Sequence, residues 1–188
     1  MDIIYLDRLQ SRKFELIGKI RNGAIFIYPT DTIYGMGCDA TNYSAVEKLR
    51  KIKNRPNAPF SIIVPDIEWI YENCYVDDEV EEWLSKLPGR YTLILKMKNP
   101  FAVATNVSFN DTIGIRIPDH EIIKFLAETK KPIITTSVNK SSEDFMTSLD
   151  DLDEDIAKAV DFIIYDGVLE GTPSTIVDLV HKKIIKRK

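Results

Sequence analysis

Short apolar, β-branched runs recur along the chain, with segments of helical spacing between them. The runs are AIFIY (24–28), FSIIV (60–64), YTLILKM (91–97), TIGIRI (112–117), PIITTS (132–137), DFIIY (161–165) and STIVDL (174–179). Each is short and suited to a pleated surface, so each is predicted to be a strand. Residues 43–53, 78–87, 119–130 and 150–160 instead place apolar side chains three and four positions apart, the period of a helix with one buried face. Strands interleaved with helices predict an α/β fold around a central sheet. The runs at 91–97 and 112–117 follow one another with no helical segment between them, so the sheet is predicted to be mixed. The nine prolines fall near proposed element ends, where a missing N–H and a fixed φ do least harm. Open α/β sheets hold ligands beyond their strand ends, so the chemistry is expected at 29–35, 53–59, 137–139 and 172–175.

The 188 residues, 44% of them hydrophobic, suffice for one substantial core. A single domain over 1–188 is expected, because no repeat, low-complexity tract or linker-like stretch divides the chain. Twenty-five basic against twenty-nine acidic side chains leave a net charge of −4, so any basic site must be local. Most acidic residues gather at 66–82 and 143–155, as on solvated helix faces. Five cations, Lys48, Arg50, Lys51, Lys53 and Arg55, crowd the end of one predicted helix and the loop after it. Cys38 and Cys74 have neither paired spacing nor a histidine cluster nearby, which argues against a disulfide framework or a metal centre. No charged leader with an apolar run opens the chain, and no apolar stretch approaches the roughly 18 residues of a membrane span. A cytoplasmic protein with no membrane partner is expected.

Four stretches carry candidate chemistry. YPTDTIYG (28–35) sets two threonine hydroxyls, a carboxylate and a tyrosine before a glycine. It is either a hydroxyl-capped turn or a bend that presents hydroxyls to a small polar ligand. In KNR (53–55) an ammonium and a guanidinium stand two residues apart and can converge on one phosphate, Arg as a fork and Lys as a point charge. Lys48, Arg50 and Lys51 fit the simpler role of complementing the helix dipole. TTSVN (135–139) runs off a strand so that Ser137 and Asn139 point the same way, either to cap a turn or to read a phosphate or purine edge. GTPST (171–175) repeats the hydroxyl theme before a strand. No Walker loop or dinucleotide-type glycine triplet is present, and His120 and His181 are the only imidazoles, so nucleotide chemistry here needs another scaffold.

Taken in order, these stretches resemble the YrdC/YciO family, whose best-known members are threonylcarbamoyl-AMP synthases. The likeness runs from RNGAIFIYPTDTIYGMGCDA through KIKNRP, LPGRYTLIL, TIGIRIPDH and TTSVNKS to PSTIVDL. It implies a single YrdC-like domain, a twisted mixed sheet with flanking helices around an open concave cavity. The resemblance also implies a nucleotide-binding tetrad at Lys53, Arg55, Ser137 and Asn139, with Arg187 reaching the nucleotide. Thr30, Thr32, Tyr34, Arg116 and Ser174 would meet the amino acid or its carbamate, and Lys53, Arg55 and Arg116 would supply catalytic charge.

The implied activity is that of an L-threonylcarbamoyladenylate synthase, a nucleotidyltransferase. It joins L-threonine, bicarbonate and ATP, with Mg2+ accompanying the nucleotide, into threonylcarbamoyl-AMP and pyrophosphate. That product serves the N6-threonylcarbamoyladenosine modification of tRNA, which makes the tRNA threonylcarbamoyl transferase proteins the implied downstream partners. Such a reaction asks for positioned cations and little covalent help from the protein. Lys53 and Arg55 are expected on an exposed loop, so their removal would weaken ATP binding with little loss of fold. RPNAPFSIIV is one residue shorter than usual in synthases, with Ile63 near the position of their histidine, and Arg90 in PGR resembles the YciO branch. A divergent YciO-like nucleotide-binding enzyme is therefore an alternative. A double-stranded RNA or tRNA-binding module is another, although outside 48–55 and 182–188 the sequence offers little for a broad basic face.

Overall fold

The structure, a computed structural model, describes residues 2–140 and 144–186. Its strands are β1 (Asp2–Tyr5), β2 (Phe26–Tyr28), β3 (Gly35–Gly37), β4 (Ser61–Ile63), β5 (Tyr91–Lys96), β6 (Thr112–Arg116), β7 (Ile133–Ser137), β8 (Phe162–Tyr165), β9 (Thr175–Asp178) and β10 (Lys183–Ile185). Its α-helices are α1 (Leu9–Arg21), α2 (Tyr43–Lys53), α3 (Glu68–Asn73), α4 (Asp78–Leu84), α5 (Ile122–Glu128) and α6 (Glu154–Ala159). All seven predicted strands and all four predicted helices are present. Five elements go beyond the sequence pattern: β1, α1, β3, α3 and β10. The strand β3 is Gly-Met-Gly, with no strand-forming composition. It exists because β2 and β7 pair with it on either side. A Cβ on Gly37 would lie 1.8 Å from the Ile134 carbonyl oxygen, so glycine is what lets the two strands meet there.

The ten strands form one sheet in the order β1-β8-β2-β3-β7-β4-β6-β5-β9-β10. It is mixed as predicted: β5 runs antiparallel to β6, while β4 with β6 and β5 with β9 are parallel. One face carries α1 and α5, whose Leu16, Ile17, Ile20, Phe125 and Leu126 bury against Phe26, Tyr28, Ile133, Phe162 and Ile164. On the other face Ile25, Ile27, Met36, Ile62, Ile115, Ile134 and Ile163 pack with Val46 and Leu49 of α2.

Strand register then places a row of small and polar residues on the α1/α5 face. Gly35 is paired with Ser137 and Thr135 with Ser61, while Ser61 is also paired with Gly114 and Thr92 with Ile176. Because side chains alternate across a strand, Arg116 shares the face of Gly114. The row therefore crosses β3, β7, β4, β6, β5 and β9, beyond the reach of the two helices.

Candidate functional site

Above this row lies a cavity of about 130 Å3, lined by Thr32 to Gly35, Arg55, Pro59 to Ser61, Thr92, Arg116, Thr135 to Ser137, Pro173, Ser174 and Ile176. It is the meeting place of the four stretches in which chemistry was expected. Thr32, Thr92, Arg116 and Ser174 are buried, whereas Arg55, Ser61, Ser137 and Pro173 are half-buried and Pro59 is exposed. The cavity thus has a deep end and a rim.

At the deep end, Arg116 closes β6 and is only 6% exposed. Its Nη2 donates to Asp31 Oδ1 at 2.8 Å and to Thr32 Oγ1 at 3.3 Å, while Asp31 Oδ2 accepts from the Asp119 amide at 3.1 Å. Burial lowers the guanidinium's pKa and the Asp31 carboxylate opposes that shift. With that carboxylate in contact, Arg116 keeps its charge at neutral pH. Its Nε is buried with no hydrogen-bond partner among the described residues. Thr92 and Ser174 are in hydroxyl contact at 2.7 Å.

The 30–34 turn closes on itself. Thr30 Oγ1 accepts from the Thr32 amide at 3.1 Å, donates to the Ile33 carbonyl at 2.7 Å and lies 2.9 Å from Thr32 Oγ1. Thr32 therefore forms the wall and Thr30 shapes the turn behind it. The Tyr34 phenol donates to the Gly167 carbonyl at 2.7 Å and accepts from the Asp166 amide at 2.9 Å, while burial pushes its pKa up. Tyr34 is among the residues that line the cavity, its ring stacks on Tyr165, and its oxygen fastens the segment that leads to Ser174. That segment crosses the turn at Gly171, where a Cβ would fall 1.6 Å from the Thr32 carbonyl oxygen.

At the rim, Lys53 differs from expectation. It is the last residue of α2 and 2% exposed, because it follows Val46 by seven residues and Leu49 by four on the buried stripe of the helix. Its ammonium crosses from the α2 layer past the end of β7, donating to the Ser137 carbonyl at 2.7 Å and to Asn139 O and Oδ1, each at 2.6 Å. Ser137 Oγ donates to the same Oδ1 at 2.6 Å. Lys53, Ser137 and Asn139 are thus one bonded cluster. Arg55 does lie on the loop after α2, but it turns inward. Its Nη2 donates to the Pro59 carbonyl at 2.8 Å, its guanidinium lies 5.3 Å from the centre of the Phe60 ring, and its Nε is buried without a partner among the described residues. Burial, and secondarily the nearby Arg50, lowers its pKa.

Among the predicted residues, Thr32, Tyr34, Arg55, Arg116, Ser137 and Ser174 share this cavity. Lys53 and Asn139 join it through Ser137, Thr30 supports it from behind, and Arg187 lies outside the described residues. Asp31, Ser61 and Thr92 were missed. Thr92 had a signal, since it is the one aliphatic hydroxyl in the apolar run YTLIL. Among the described residues no group of three His, Cys, Asp or Glu side chains could hold a metal ion, and no helix is long and apolar enough to cross a membrane.

The comparisons with known proteins bear on the family and the fold. The Sua5/YciO/YrdC family model, described as telomere recombination, matches residues 18–188. A Methanocaldococcus jannaschii protein that carries the provisional name threonylcarbamoyl-AMP synthase is 41% identical over 170 residues, covering 89% of this chain and 80% of that protein. The structure of P. abyssi Sua5 complexed with L-threonine superimposes with a TM-score of 0.85 at 29% identity, covering 97% of this chain. This chain spans 55% of that Sua5 chain. Escherichia coli YciO also superimposes with a TM-score of 0.85, at 26% identity, covering 100% of this chain and 96% of that one. The chain belongs to the Sua5/YciO/YrdC family.

Proposed function

We propose that the chain is an L-threonylcarbamoyladenylate synthase, which joins L-threonine, bicarbonate and ATP into threonylcarbamoyl-AMP and pyrophosphate. The observation that carries this reading is a pair of guanidinium side chains on one cavity, half-buried Arg55 at the rim and buried Arg116 at the deep end. Two guanidiniums on a single cavity match a ligand with two anionic ends. An amino acid whose amine carries a carboxylate, meeting a triphosphate, is such a ligand. The name of the M. jannaschii relative and the L-threonine in P. abyssi Sua5 support the same choice.

In this reading Arg116, oriented by Asp31, takes the amino-acid carboxylate, with Thr32 and Ser174 beside it. Arg55 and the Lys53–Ser137–Asn139 cluster take the phosphates. The carbamate oxygen attacks the α-phosphorus and pyrophosphate leaves, so the work of the protein is alignment and charge stabilisation. Mg2+ accompanying the nucleotide would supply charge neutralisation of the triphosphate, with Arg55 the cation the chain itself adds. The product carries the threonylcarbamoyl group toward tRNA, through transferase proteins of the cytoplasm. The test is pyrophosphate release from ATP with bicarbonate, measured across all amino acids. Release that depends on threonine and bicarbonate is expected, and release with another amino acid in preference to threonine would overturn the assignment.

A further inference from the structure

Arg50 was read from sequence as a cation complementing the end of α2, a role that needs only an exposed charge near the last carbonyls. The structure gives it another place. Arg50 is 4% exposed, and its guanidinium lies between two aromatic rings, 4.7 Å from the centre of Phe60 and 4.8 Å from that of Phe109. Every polar contact recorded for it is to a backbone carbonyl. Nε and Nη2 donate to Asn106 O at 2.8 and 2.6 Å, and Nη2 reaches Val107 O at 3.3 Å. Nη1 donates to Arg55 O at 2.8 Å, Pro56 O at 3.2 Å and Ala58 O at 2.9 Å.

Three of those five carbonyls belong to one short loop, the one that carries Arg55. That loop holds two prolines, Pro56 and Pro59, which have no N–H to give to a ladder. A buried cation facing only neutral oxygens is an expensive way to close a loop, and a neutral side chain would close it without the desolvation cost. The arrangement makes sense when the loop's inward side chain must be held at one position. Arg55 is that side chain: its guanidinium shares the Phe60 ring with that of Arg50, at 5.3 and 4.7 Å from the ring centre, and it lines the cavity. Arg50 also adds positive potential there, as its contribution to the lowered pKa of Arg55 records.

We infer that Arg50 is a positioning residue of the anion site, which acts through Arg55 by clamping the 55–58 carbonyls against the 106–107 segment. The inference rests on the nucleotide reading above, and concerns which residue sets Arg55 rather than which substrate is bound. Lysine at this position keeps the charge but cannot span both segments with a planar fork.

The experiment is a double-mutant cycle on ATP affinity, measured by equilibrium binding so that it does not depend on turnover. Arg55→Ala, Arg50→Lys and the double variant are compared with the unmodified chain, each checked for folding by circular dichroism. Arg50→Lys is expected to weaken ATP about tenfold in the unmodified background and less than about twofold once Arg55 is alanine, since residues that act as a unit are non-additive. Its affinity for threonine, bound at the deep end, should stay unchanged. Equal losses in both backgrounds, or no loss in either, would overturn the inference while leaving the ATP reading intact. Failure of the unmodified chain to bind ATP would remove that reading and this inference with it. Should Arg50→Lys not fold, Phe109→Ala, which strips one ring from the guanidinium at a 60% exposed position, replaces it. The same non-additivity with Arg55→Ala is then required, and additive losses reject the clamp.

Discussion

Glycine at position 171 has a definite reason. A Cβ there would sit 1.6 Å from the Thr32 carbonyl oxygen and 2.5 Å from its carbonyl carbon, against backbone that has no rotamer to move. Gly171→Ala should therefore lift the 171–174 segment from the turn and carry Ser174 away from Thr92. The expected cost is about 1–3 kcal/mol, as for other overpacked sites, seen as a fall of several degrees in thermal unfolding. Threonine binding should suffer more than ATP binding, because Thr32 and Ser174 belong to the deep end. Calorimetric titration of both ligands checks this, and equal losses would contradict it. The chain gives no local sign of this contact, since the two segments are more than a hundred positions apart. Lys53 is the opposite case. Its spacing from Val46 and Leu49 puts it on the inner stripe of α2, and continuing the helical period to its last residue would have placed it inside. The charge suggested a loop; the period was the better guide.

Among the elements, those with a strong period and a full set of apolar positions were legible. The helix α2 announces its start as well: the Asn42 side chain accepts from the Ala45 amide at 3.1 Å, and the helix stops at Asn54, whose φ of 49° is a left-handed cap. The helix α1 was obscure because its buried positions, Leu9, Leu16, Ile17 and Ile20, are sparse among charged residues. β3 has no propensity signal at all, and only its two neighbours make it a strand.

The segment before α6 offers an element-scale test. Asp151 accepts from Thr147 and Ser148, and Asp153 caps α6 through the Asp155 and Ile156 amides at 2.9 and 3.0 Å. For Asp151 the Thr147 amide, and for Asp153 the Ile156 amide, is the leading cause that holds each carboxyl below its usual pKa. A depressed folded pKa gives stability that is complete above the ordinary value, about 3.9, and is lost as pH falls below it toward the folded value. Amide exchange should therefore accelerate at 147–157 below about pH 4 while β2, β7 and β8 stay protected, and uniform protection across that range would refute it.

At the scale of the whole molecule, the fold class was readable, and the four stretches singled out in the sequence all contribute to the lining of the candidate cavity. A mixed sheet brings the ends of β7, β6 and β9 to one face, and the loops flanking them were where chemistry was sought. What could not be read was the register, which decides that Ser61, Thr92 and Thr135 line up with Arg116 and Ser137. Register comes from pairings between residues far apart in the chain, and a one-residue slip would send each of them to the other face.

The graded burial of the cavity has a kinetic corollary. Its 130 Å3 lie well below the roughly 300 Å3 that begin to enclose a drug-sized molecule, which on the proposed reading is room for the amino acid and not for the whole nucleotide. If the amino acid takes the deep end and the nucleotide the rim, as proposed, the second ligand would close in the first, and loading would follow a fixed order, amino acid before nucleotide. Release of labelled threonine should slow once an unreactive ATP analogue is added. Undiminished escape would mean a back door.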